Sequence, residues 1–98
     1  MPGVLDPEER ELAILRELVD FRGKRVLELG AGDGRLTFGY GRDAAFVLAV
    51  DPDEDAVEAA RDDVPRRLRR TVELRVADAT TVDAPRASFD LAFFSWSL

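Results

Sequence analysis

The chain has 98 residues, 46% of them hydrophobic and 35% charged, with a formal net charge of −6, which suits one soluble domain with a thin core. It contains no cysteine and no histidine, so disulfides, thiolate metal sites and the commonest general base are excluded. The acidic balance argues against non-specific nucleic-acid binding, and no apolar run approaches the roughly 20 residues of a membrane span. The start, Met1-Pro2-Gly3-Val4, lacks the layout of a signal peptide. A cytoplasmic setting is therefore expected, without membrane or nucleic acid as a partner.

The first element in chain order is a predicted helix from Pro7 to Phe21. Asp6 is placed to cap it, and Glu9 falls at the capping-box position. Leu12, Ile14, Leu15, Leu18 and Val19 form an apolar stripe at helical spacing, and Gly23 closes the segment. Arg25 to Leu29 reads as a strand, followed at once by Gly30-Ala31-Gly32-Asp33-Gly34. A short helix is predicted over Arg35 to Arg42, weakened by Gly39 and Gly41, each costing roughly 1 kcal/mol against alanine.

Ala45 to Val50 is a nearly continuous apolar run, the pattern of a strand covered on both faces. Asp53 can cap a further helix reaching Asp63, with Ala56, Val57 and Ala60 on its buried side. Pro65 interrupts or restarts it. Val72 to Val76 alternates as a third strand, and Phe89 to Phe94 reads as a fourth. The 12 residues Ala77 to Ser88 that join them contain no good helix pattern. This alternation of helices and strands predicts an α/β fold with a parallel sheet and right-handed crossovers.

A tight strand-to-helix turn calls for glycine, both for positive φ and for close approach of a ligand. Such a turn also occurs without any ligand. A dinucleotide fingerprint would place its third glycine at position 35, which is arginine here; the third glycine falls one residue earlier. Glu28 and Asp33 would repel a pyrophosphate at this turn. A cationic ligand without phosphate fits better. Asp51 ends the second strand 19 residues after Gly32, where a carboxylate can accept from both hydroxyls of a ribose. It could equally be a helix cap or a solvated charge, but Asp53 is the better cap and leaves Asp51 free for the ribose.

The segment Val26-Leu27-Glu28-Leu29-Gly30-Ala31-Gly32-Asp33-Gly34 resembles motif I of the class I (Rossmann-like) methyltransferases, whose cofactor is S-adenosylmethionine. The resemblance implies that Gly30, Ala31 and Gly32 approach the methionine part of the cofactor, with Glu28 acting through the loop's hydrogen bonding or its charge. It implies that Asp51 holds the ribose; Pro52 is placed to pack on the adenine face, although a proline there could equally serve only to stop the strand. The resemblance also implies that Asp78 accepts from the adenine amine while the Ala79 N–H bonds a ring nitrogen. Ser88-Phe89-Asp90 and the apolar run after it resemble the family's fourth strand. Ser95, Trp96 and Ser97 then fall where the transferred methyl would point, although Trp96 could also cap the core. The resemblance names neither a catalytic base nor a metal ligand.

The implied fold is a Rossmann-like parallel sheet of four strands in order 3-2-1-4 with flanking helices, truncated relative to the family's seven strands. Residues 1–98 are thus expected to form a single, incomplete cofactor-binding domain. The competing expectation is a homodimer in which two fourth-strand edges complete each other's sheet. The expected function is methyl transfer to an unidentified acceptor, this chain supplying the cofactor-binding half. The alternatives are a non-catalytic S-adenosylmethionine-binding or assembly module and a dinucleotide-binding oxidoreductase domain. The run Arg66, Arg67, Arg69 and Arg70 precedes the third strand and reads as a solvated face away from the crevice.

Overall fold

The computed structural model describes residues 7–82 and 88–95. Its elements are helix α1 (Pro7–Leu18), strand β1 (Arg25–Leu29), helix α2 (Arg35–Gly41), strand β2 (Phe46–Asp51), helix α3 (Glu54–Asp63), a 3₁₀ turn at Arg66–Leu68, strand β3 (Val72–Val76) and strand β4 (Leu91–Phe94). The sheet order is β3-β2-β1-β4, and every pairing is parallel. Register places Val26 beside Val47 and Leu91, and Asp51 beside Val76. All four strands therefore end along one carboxyl edge.

The period of two along each strand sorts the core into two sides. Val26, Val47, Ala49 and Val72 join Phe21 and Tyr40 on one side, with Leu12 and Leu15 of α1 and Leu36 and Phe38 of α2 packed against them. Leu27, Leu48 and Val50 form the other side, under Ala77, Val82 and Phe89. Both faces of β2 are thus covered, which its unbroken apolar run requires. Among the described residues, the second face is covered by Ala77, Val82 and Phe89.

The beginning of β4 is tied to the beginning of β1. The Arg25 N–H donates to the Asp90 carboxylate at 2.9 Å, and the Asp90 N–H donates to the Arg25 carbonyl at 2.8 Å. The Arg25 guanidinium donates to the Ser88 carbonyl and lies 4.9 Å over the Phe46 ring and 5.9 Å from the Phe89 ring.

Several boundaries differ from the sequence reading. α1 ends at Leu18, not Phe21, because Phe21 leaves the helix to stack on Tyr40 at 4.4 Å between ring centres. The apolar stripe of α1 divides. Leu12, Leu15 and Val19 pack inward, whereas Ile14 is 50% and Leu18 77% exposed. Ala56 is half-buried rather than buried, while Val57 and Ala60 are buried as expected. β2 is shifted by one residue to include Asp51, and β4 begins at Leu91. The expected cap at Asp6 lies outside the described residues, as do Trp96 and Ser97.

Candidate functional site

The carboxyl edge brings together the turn after β1, the end of β2, the start of the segment after β3 and the end of β4. The glycine turn is hung on β2. The Gly30 and Ala31 N–H groups both donate to the Val50 carbonyl, at 2.8 and 3.0 Å. Gly30 has φ +79° and Gly32 φ +59°, a region costly for residues with a Cβ. A Cβ on Gly30 would lie 2.7 Å from the Ser95 backbone oxygen, so the end of β4 closes directly on the turn.

Asp51 is not left free by Asp53. Asp53 caps α3 as expected, accepting from the Asp55 N–H at 3.0 Å and the Ala56 N–H at 3.3 Å. Asp51 meanwhile bridges two segments: one carboxylate oxygen accepts from the Gly32 N–H at 2.8 Å, the other from the Asp53 N–H at 2.8 Å. The hydrogen bond to Gly32 spans 19 positions in sequence and cannot be read from local capping rules. Each oxygen of an ionised carboxylate has capacity for a further donor, so the bridge still allows Asp51 to receive hydroxyl groups.

Glu28 lies beneath the turn, with 0% of its surface exposed. One carboxylate oxygen accepts from the Thr37 hydroxyl at 2.6 Å and the Tyr40 hydroxyl at 2.5 Å, and the other accepts from the Ser95 hydroxyl. A buried carboxylate demands such donors. Burial, and then the neighbouring Glu28 charge, push the Tyr40 phenol pKa far up, so this hydroxyl remains a donor. Thr37 and Tyr40 were missed from the sequence. Their signal is a pair of hydroxyl side chains three residues apart on α2, opposite the acidic residue of β1.

The remaining acidic residue of the turn, Asp33, is exposed and pairs with Arg35 at 3.4 Å. Its charge is therefore partly offset at the surface. Ser95 turns inward rather than along the strand: its hydroxyl meets Glu28 and lies 3.3 Å from the Gly30 carbonyl oxygen.

Pro52, Asp78 and Ala79 lie exposed on the same edge. Asp78 folds onto its own turn, accepting from the Thr80 hydroxyl at 2.6 Å, the Thr80 N–H at 2.8 Å and the Thr81 N–H at 2.9 Å. The Thr80 contacts lead in holding its carboxyl below the usual aspartate range. Arg66, Arg67, Arg69 and Arg70 lie at the opposite, amino end of β3, where the Thr71 carbonyl meets the Val47 N–H.

The edge thus presents backbone curvature at the glycine turn with carboxylates at two neighbouring strand ends. That donor and acceptor set fits a hydroxyl-bearing, cationic nucleoside better than a diphosphate, which Asp51 beside Gly32 would repel.

Comparison with known proteins is consistent with this geometry. Residues 26–98 match a family model described as a methyltransferase domain. Phosphoethanolamine N-methyltransferase 1 of Triticum aestivum is 34% identical over 96 residues, covering 96% of this chain and 19% of that protein. Aklanonic acid methyltransferase DauC of Streptomyces sp. (strain C5) is 34% identical over 90 residues, 85% of this chain and 41% of that protein. Among solved structures, phosphoethanolamine N-methyltransferase 1 of Haemonchus contortus, in complex with phosphoethanolamine and S-adenosylhomocysteine, superposes with a TM-score of 0.76 at 29% identity, over 94% of this chain and 20% of that one. The YcgJ protein from Bacillus subtilis shares the fold, with a TM-score of 0.78 at 23% identity over 88% of this chain and 37% of that one. The chain therefore spans less than half the length of each of these relatives.

Proposed function

Because the chain belongs to the methyltransferase domain family, we propose that it holds S-adenosylmethionine across the carboxyl edge of its sheet and supplies the cofactor-binding part of a methyltransferase. The observation that carries this reading is the junction of Asp51 with Gly32, a carboxylate held against the glycine turn at 2.8 Å. S-adenosylmethionine, when bound, supplies an electrophilic methyl group on a sulfonium. The chain's own residues bind and orient it. Gly30, Ala31 and Gly32 shape the turn around the methionine part. Asp51, already fixed by two backbone donors, accepts from the ribose hydroxyls. Pro52 lies against the adenine, and Asp78 and the Ala79 N–H receive its polar edge. Glu28 supports the turn from below. Alignment of an acceptor with the S–CH₃ bond supplies much of the rate in such transfers, so the precision of this seat is the chain's catalytic contribution.

Phosphoethanolamine is the acceptor to test first, since relatives named for it match 96% of the chain. Calorimetry with S-adenosylhomocysteine tests the site. The expected result is saturable binding, weakened at least about tenfold by Asp51→Ala combined with Asp78→Ala, the scale of one or two lost hydrogen bonds, and no binding of NAD. Unchanged affinity in the double variant would overturn the assignment.

A further inference from the structure

The buried group beneath the glycine turn suggests a role for a residue far from the cofactor's expected path. We propose that the Tyr40 hydroxyl is a positioning group for the cofactor site, acting through Glu28 to hold the end of β4 against the glycine turn. This inference rests on the reading of that edge as an S-adenosylmethionine site.

Tyr40 is fully buried. Its ring is fixed by Phe21, stacked at 4.4 Å, and by Phe93 of β4, edge-on at 5.7 Å. Its hydroxyl therefore has a defined position, 2.5 Å from one oxygen of Glu28. Thr37 donates to that same oxygen. Two donors on one oxygen set the rotation of the carboxylate and aim the other oxygen at the Ser95 hydroxyl.

Ser95 is where β4 meets the turn. Its N–H donates to the Leu29 carbonyl at 2.8 Å, and its hydroxyl lies near the Gly30 carbonyl oxygen. Its own carbonyl oxygen occupies the space a Gly30 Cβ would need. A rotated Glu28 would release Ser95, and the wall beside Gly30 would move with it. Burial and the Glu28 charge push the phenol pKa up, so the Tyr40 hydroxyl stays a protonated donor.

The decisive variant is Tyr40→Phe, which keeps the ring stack and removes only the hydroxyl. In titrations of the full chain with S-adenosylhomocysteine, its Kd is expected to rise about tenfold, the effect of one charge-assisted hydrogen bond, with an unchanged circular dichroism spectrum. Ser95→Ala should weaken binding less in the Tyr40→Phe background than in the wild type, because both hydroxyls act through Glu28. A purely structural role would lower the melting temperature but leave Kd unchanged and the two substitutions additive; that result overturns the proposal. Should Tyr40→Phe fail to fold, Thr37→Val removes the other donor to the same oxygen and is read the same way. A wild-type chain that binds no S-adenosylhomocysteine ends the cofactor reading and this inference together. A wild type that binds, beside variants that bind equally well, ends this inference alone.

Discussion

Gly30 combines a φ of +79° with a backbone oxygen 2.7 Å from the place of its absent Cβ. Either feature alone disfavours a side chain; together they leave alanine no relaxed position, because the obstruction is main chain rather than a mobile side-chain tip. Gly30→Ala is expected to cost about 1–3 kcal/mol in strain and to displace Ser95 from Glu28. Urea denaturation and titration with S-adenosylhomocysteine should both register the change, and a variant with wild-type stability and affinity would contradict this packing. Glu28 illustrates the same dependence on neighbours. The sequence places an acidic residue before the turn, but its three hydroxyl partners come from α2 and the end of β4. Asp51 was legible as the carboxylate at the end of β2. Its bond to Gly32 was not, since that bond exists only once β1 and β2 lie side by side.

At the scale of elements, α2 is short and carries two glycines, which by propensity alone weaken it. The structure supplies the reason for one of them. A Cβ on Gly39 would lie 2.5 Å from a Leu12 methyl, so the bare backbone lets α1 settle on α2. The Arg16 guanidinium adds a bond to the Gly39 carbonyl at 2.7 Å. Gly39→Ala gains about 1 kcal/mol of helix propensity, and the nearest atoms its Cβ meets belong to the tip of the flexible Leu12 side chain, which can turn aside. The expected net effect is a melting temperature unchanged or slightly raised, and a clear drop would mean that Leu12 cannot repack. Helix identity was readable from capping and periodicity, as Asp53 and α3 demonstrate. The end of α1 was not, because Phe21 is drawn out of the helical path by its stack on Tyr40.

At the scale of the molecule, the two faces of the sheet are unequally covered among the described residues. One carries α1, α2 and α3; the other has Ala77, Val82 and Phe89 over Leu27, Leu48 and Val50. Phe89 is half-buried and also lies near the Arg25 guanidinium. Phe89→Ala is expected to destabilise the fold by about 2–3 kcal/mol, below the usual range for a fully buried aromatic, and to lower the melting temperature by roughly 10 °C or more for a domain of this size. A shift within error would show that the second face does not depend on it. The parallel sheet followed from features local in the chain, apolar runs alternating with helix signals; glycine spacing and acidic residues at strand ends carried the resemblance to a methyltransferase cofactor loop, and that resemblance implied the strand order. Tertiary structure alone decided how those features connect. Asp51 bridges Gly32 and Asp53, Glu28 gathers hydroxyls from two other elements, and Ser95 turns inward, because partners far apart in sequence become neighbours only when parallel strands align their carboxyl ends.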